Sequence, residues 1–261
     1  MGAHLVESGV RFMQYLKSAM LLAVIFFLAT SFCRAQERPG IIGADDRVVV
    51  TEKGAPWDAV GQVNITGARS IVICTGTLIA PRLVLTAAHC VRGGNKPLPL
   101  DNIHFLAGSR VDLSKHSIAD CLHFLERTET KSTTAAKPSP LDGFADDAVV
   151  IVLKNALPVK PVPLAENVTL KSDVRLVHAA YAGERRFALS AHFDCQILSE
   201  LRPLWLTNCD TSPGSSGGPM FVKIDQALNL AAIMVGGVPH NFNIALPISE
   251  RIGLARNDQC P

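Results

Sequence analysis

Apolar residues fall along this chain in short, β-branched runs. Val48 to Thr51, Ala59 to Ile65, Ile71 to Ile79 and Leu83 to Ala87 are separated by Gly, Pro and Asn, a spacing that predicts an all-β barrel. Ala148 to Leu153 is apolar at every position, as a strand buried on both faces would be. Leu157 to Leu164 carries Pro158, Pro161 and Pro163 and reads as an extended linker between two halves. After it the strand pattern resumes at Val174 to Tyr181, His192 to Leu198, Leu204 to Asn208, Met220 to Ile224 and Leu230 to Val235. Ile248 to Arg256 predicts a short closing helix. Gln36 to Asp46 is a polar lead, and Lys115 to Asp142, rich in Lys, Thr, Ser and Pro, is expected to contain an exposed loop.

The front of the chain is of another kind. Ala19 to Phe32 is uncharged, follows Arg11 and Lys17, and precedes Cys33-Arg34-Ala35, which predicts a signal peptide over 1–35. Its 14 residues fall short of the ~20 that a membrane span needs. Met13 would begin a more typical signal peptide than Met1 does. Removing 1–35 takes away three basic residues (Arg11, Lys17, Arg34) and one acidic one (Glu7), so the formal charge falls from +2 to 0. No basic face is implied, so nucleic acid is not an expected partner. A monomer with no stable membrane association after signal removal is expected. The remaining chain, in a sequence that is 48% apolar, is long enough to bury a core.

Beyond Cys33, six cysteines remain: Cys74, Cys90, Cys121, Cys195, Cys209 and Cys260. An even count behind a signal peptide reads as three disulfides in an oxidising compartment, secreted or periplasmic. Neither Cys-x-x-Cys nor His-Glu-x-x-His spacing occurs, so no metal or other cofactor is expected.

The candidate chemistry lies in two stretches. Asp210 to Pro219 reads Asp-Thr-Ser-Pro-Gly-Ser-Ser-Gly-Gly-Pro, a turn-forming run that leads into a strand. By itself it fits an ordinary turn as well as a nucleophile standing on free backbone N–H groups. Thr75 to Cys90 ends Thr-Ala-Ala-His-Cys after two strand-like runs. Together, and in this order, the two stretches resemble the trypsin/chymotrypsin-like serine peptidases. The resemblance covers essentially all of 36–261. It implies two six-stranded antiparallel Greek-key β-barrels, about 45–156 and about 164–250, with the active site in the cleft between them.

The same resemblance implies the site residues. His89 is the general base, since an imidazole takes up and returns a proton near neutral pH. Ser216, at the Gly-x-Ser-Gly position, is the nucleophile, and the N–H groups of Gly214 and Ser216 form the oxyanion hole. For the orienting acid, the family spacing favours Asp146, whereas an ungapped count back from Leu153 favours Asp147. Asp147 is chosen because an insertion within a buried strand would flip its faces. The family pairs Cys74 with Cys90. Cys195 and Cys209 span the strands before the serine loop, which leaves Cys121 with Cys260, although four cysteines allow three pairings. Ser215 departs from the trypsin-type aspartate that binds a new N-terminal amine, so activation through that ion pair is not expected.

Specificity carries further departures. Gly236-Gly237-Val238-Pro239, Phe242-Asn243 and Ala245, with Asp45-Asp46-Arg47 and Pro56-Trp57 near the front, resemble the secreted bacterial glutamyl endopeptidase branch. Gly236 and Gly237 would leave room for a substrate strand. Met234 stands where that branch has a carboxylate-reading histidine, and a thioether cannot do that work. Asp210 either selects Arg or Lys from the base of the substrate pocket or caps its own turn. Thr211 is a further pocket candidate. The sequence thus predicts a cofactor-free serine endopeptidase acting on peptide or protein substrates, with a catalytically silent binding protein as the rival.

Overall fold

The computed structural model describes residues 38–67, 71–94, 96–108, 115–126, 141–165, 174–248, 251, 253 and 256–260. The predicted signal segment lies outside them, and so does much of the predicted closing helix. Among the described residues, no helix is long and apolar enough to cross a membrane.

Among the described residues, fifteen strands carry the fold: β1 (Val48–Val49), β2 (Val60–Thr66), β3 (Ile71–Ala80), β4 (Leu83–Thr86), β5 (Arg92–Gly93), β6 (Lys96–Pro97), β7 (Ile103–Ala107), β8 (Lys115–Phe124), β9 (Val149–Leu153), β10 (Arg175–Ala180), β11 (Ser190–Leu201), β12 (Leu204–Thr207), β13 (Pro219–Ile224), β14 (Ala227–Val238) and β15 (Phe242–Pro247). The first barrel closes in the order β2-β3-β4-β9-β8-β7. The second runs β11-β10-β13-β14-β15-β12 and closes through a β11–β12 pairing, with β1 added outside β11. Every pairing within the two barrels is antiparallel.

β9 is buried along its whole length, as its unbroken apolar sequence requires. β7 alternates, with Ile103, Phe105 and Ala107 inward. One apolar cluster then joins both barrels, including Val63, Phe105 and Val150 from the first and Phe221, Ile233 and Leu246 from the second. Each such side chain, fully buried, stabilises the fold by roughly 1.5–3 kcal/mol before entropy is subtracted. Segment 157–165 passes between the barrels: Leu157 and Val162 N–H donate to Pro81 and Leu78, and Ala165 N–H donates to Leu230.

Of the stretch 115–142, expected to contain an exposed loop, the first ten residues are β8. Lys115, His116 and Asp120 face outward, and their polarity hides the alternation that buries Ser117 and Ala119. Residues 127–140 of that stretch lie outside the described ones.

Candidate active site

The site is assembled where the end of β4 meets the turn before β13. After β4 the chain enters a short 3-10 turn, Ala88–Val91, which carries His89 and is tied back to β3 by the Cys74–Cys90 disulfide. Asp147 sits just ahead of β9, beside β4 in the barrel. Its Oδ1 accepts the His89 N–H at 2.7 Å, and its Oδ2 lies 2.6 Å from His89 Nδ1. The Asp147 side chain is 8% exposed and that of His89 is 47% exposed, so a buried carboxylate orients a ring open to the cleft. Asp146 is turned elsewhere, 3.7 Å from Arg251 Nη2 and 42% exposed.

The serine turn is fastened to the first barrel by a residue that sequence reasoning gave no role. Thr75 is fully buried. Its N–H donates to the Ser216 carbonyl (2.8 Å), and its hydroxyl donates to the Gly214 carbonyl (2.9 Å) while accepting the Tyr181 N–H (3.0 Å). The Thr75 carbonyl accepts the Thr86 hydroxyl at 2.7 Å. A Cβ on Gly217 would overlap Thr75 and Thr86 outright, so the chain after Ser216 needs glycine to approach the His89 turn this closely. A hydroxyl at a fully inward strand position was the available signal, since a buried polar group needs partners.

Gly214 adopts φ +98, in the left-handed region that glycine enters without steric cost. The N–H groups of Ser215, Gly217 and Gly218 are taken by the carbonyls of Ser212, Met234 and Ser215. Those of Gly214 and Ser216 have no acceptor among the described residues.

Three of the candidate specificity residues, Asp210, Thr211 and Met234, are buried. Asp210 is fully buried. Its two oxygens accept the N–H groups of Ile42 and Asp46, each at 2.9 Å, so it caps a segment more than 160 residues away and not its own turn. Burial opposes its charge, but His192 and the two N–H groups outweigh this and hold its carboxyl below the usual range. Met234 is 2% exposed and belongs to the apolar cluster of Trp205 and Ala245, so its thioether is part of the barrel core. Thr211 is buried, and its N–H donates to the Gly40 carbonyl at 3.0 Å.

Gly236 is half-buried and Gly237 exposed. A side chain on Gly236 would strike the Phe144 ring, and one on Gly237 would overlap Asn243. Both glycines are thus packed closely against side chains of the protein itself, Phe144 and Asn243. The irregular register between Met234 and Gly236 brings Val235 to the wall of a cleft of about 630 Å3, beside His89, Arg92, Phe144 and Asp147. Arg92 lies over the Phe124 ring (3.9 Å) and reaches Glu126 (3.2 Å). Neither Phe144 nor Arg92 carried a sequence motif.

The remaining disulfides join Cys121 to Cys260 and Cys195 to Cys209. Among the described residues, two clusters have the makings of a metal site: Cys74 and Cys90 with His89, and Asp46 and Asp210 with His192. In the first the sulfurs are bonded to each other, which removes the thiolates a metal would need. In the second, both Asp210 oxygens accept backbone N–H groups, and His192 Nδ1 accepts the Asp210 N–H at 2.9 Å.

Residues 74–228 match the model of the trypsin-like peptidase domain. Serine protease 23 of Bos taurus is 25% identical over 203 residues, which cover 67% of this chain and 54% of that protein. The Homo sapiens protein of the same name gives 25% over 204 residues, covering 67% and 53%. The chain thus spans about half the length of these curated relatives. Among solved structures, a Glu endopeptidase superposes with a TM-score of 0.65 at 20% identity, covering 83% of this chain and 99% of that one. A thermostable serine protease, AL20, gives 0.60 at 17%, covering 77% and 96%. At these identities the likeness speaks to the fold alone.

Proposed function

The chain belongs to the trypsin-like peptidase family, and from that premise we propose that it is a serine endopeptidase, exported to an oxidising compartment, that cleaves peptide bonds through His89, Asp147 and Ser216. The observation that carries the reading is the pair of Asp147 contacts on His89, at 2.7 and 2.6 Å, together with the Ser216 carbonyl held by Thr75 N–H (2.8 Å) and 3.9 Å from the Sγ of Cys90, next to His89. Three disulfides support the compartment.

In the proposed reaction the Ser216 hydroxyl gives its proton to His89 Nε2 while Oγ bonds to the scissile carbonyl carbon. Negative charge gathers on the carbonyl oxygen, which the N–H groups of Gly214 and Ser216 are free to hold; one such donor is typically worth about 3 kcal/mol of barrier. Asp147 stabilises the imidazolium. His89 then returns the proton to the leaving amine, the C–N bond breaks, and water clears the acyl-enzyme by the same steps. No cofactor enters.

Similarity to a Glu endopeptidase raises the question of glutamate at the cleavage site. Met234 carries no charge and is buried, while the Asp210 carboxylate is taken up by backbone N–H groups. Cleavage without preference for Glu, Arg or Lys before the scissile bond is expected. The test profiles the purified protein and its Ser216→Ala variant on a mixed peptide library, with cleavage sites read by mass spectrometry. Cleavage by the unaltered protein alone is the expected result. Equal cleavage by both would remove Ser216 from its role, and no cleavage with no fluorophosphonate labelling would favour a silent binding protein.

A further inference from the structure

We propose that segment 39–47 is a built-in clamp that holds the nucleophile loop 210–216 in its working shape, with Arg47 as the positioning residue. The proposal rests on the reading of Ser216 as nucleophile. It starts from a feature that the catalytic chemistry does not use: the segment ahead of the first barrel is bonded to the serine loop at three successive positions. Asp210 accepts from Ile42 and Asp46 N–H (2.9 Å each). Thr211 N–H donates to the Gly40 carbonyl (3.0 Å). Ser212 Oγ accepts from Arg47 Nη1 (2.9 Å).

Arg47 is only 7% exposed, and a cation that far from water persists only when fully partnered. Its guanidinium reaches Asp45 through Nε (2.8 Å) and Nη2 (3.0 Å), and Glu184 through Nη2 (2.7 Å). Ser212 closes the ring by donating to Glu184, 2.8 Å from Oε2. Arg185 braces the segment from outside, reaching the Arg47 carbonyl (3.1 Å) and Asp45 (3.2 Å). The Arg47 hydrogen bonds are the main cause that brings the Asp45 carboxyl down to about 2.

From Ser212 the constraint passes directly to the catalytic turn. Ser215 Oγ accepts the Ser212 N–H (3.3 Å), and Ser215 N–H donates back to the Ser212 carbonyl (3.0 Å). Ser215 is 1% exposed and stands next to Ser216. A continuous internal segment, through side chains and peptide N–H groups, therefore orders this loop without a cut in the chain or a free amine. Gly40 makes the contact close: it sits at φ +90, and a Cβ there would come within 2.7 Å of the Thr211 carbonyl oxygen.

The test compares Arg47→Met, Gly40→Ala and Ser212→Ala with the unaltered protein and with Lys154→Met, which loses only a surface ion pair to Asp101. Fluorophosphonate labelling of Ser216, kcat and KM are measured well below each melting temperature, and amide hydrogen exchange is followed over 210–217. Arg47→Met and Gly40→Ala should lower the labelling rate and kcat by about tenfold or more with KM within about twofold, while Lys154→Met changes neither. Exchange at Ser215 and Gly217 should quicken in the same variants. A uniformly destabilised protein would instead exchange faster throughout and label normally in its folded fraction. Should Arg47→Met fail to fold, Gly40→Ala and Ser212→Ala decide by the same criteria. Unchanged labelling and unchanged exchange over 215–217 would overturn the clamp. An unaltered protein that never labels would instead overturn the role of Ser216, and the exchange data would still judge the clamp separately.

Discussion

Asp146 and Asp147 are neighbours of the same chemistry with opposite surroundings, which makes them a clean test at the level of single residues. Both oxygens of Asp147 are committed to His89, at 2.7 and 2.6 Å. An asparagine there would offer one acceptor and turn an N–H toward either the ring or the backbone, favouring the wrong tautomer. By analogy with the same change in a well-studied triad, Asp147→Asn should cost up to about 10⁴-fold in kcat. Asp146→Asn gives up a half-exposed ion pair at 3.7 Å and should cost less than about threefold. Steady-state rates on one peptide measure both; the reverse order would transfer the orienting role to Asp146. Counting register back from an apolar strand made the Asp147–His89 contact legible in the sequence, because burial fixes which way alternate residues point. Asp210 was not legible in that way. Its spacing from Ser216 locates its backbone, but the direction of its carboxylate is set by Ile42 and Asp46, 168 and 164 residues away.

At the level of elements, β10 and β13 hold a group that should tie the second barrel's stability to pH. His178 on β10 is 2% exposed, and its Nδ1 donates to the Pro219 carbonyl at 3.1 Å. Burial lowers its pKa to about 4, a shift that the Pro219 carbonyl only partly offsets; His192 and Arg47 also lower it, and Asp210 raises it. The folded state thus resists a proton that the unfolded chain takes up near pH 6.5. The stability is fully present above about pH 6.5 and is lost progressively as pH falls toward about 4, by up to roughly 3 kcal/mol. Urea midpoints at pH 7, 5.5 and 4 should fall steeply for the unaltered protein and less for His178→Gln; equal slopes would show that His178 is not the source. The strands themselves were legible where period and composition agreed, as in β9, and obscured where they conflicted, as in β8. His178 lay inside a predicted strand, but its depth depends on the closeness of Gly218 and Pro219, which no run of residues along β10 encodes.

For the whole molecule, the two short motifs around His89 and Ser216 made the two-barrel plan legible through the family resemblance that they carry, not through their spacing. The disulfides show what local pattern leaves out. Cys74–Cys90 and Cys195–Cys209 close short loops, with separations of 16 and 14, inside single barrels. Cys121–Cys260 spans 139 residues, from β8 of the first barrel across the linker and the entire second barrel to the end of the chain. In the chain-entropy model the short loops stabilise by about 3 kcal/mol each and the long one by about 5 kcal/mol, because the unfolded chain loses more freedom when distant residues are tied. Neither Cys121 nor Cys260 touches His89 or Ser216 in the contacts described above. Replacing both by serine should therefore leave kcat at 25 °C within about twofold while lowering unfolding free energy in urea by several kcal/mol. The Cys195→Ser, Cys209→Ser pair should lower it less. An equal or larger loss from the short loop would mean that native packing around Cys195, which is 1% exposed, outweighs the entropy of the unfolded chain.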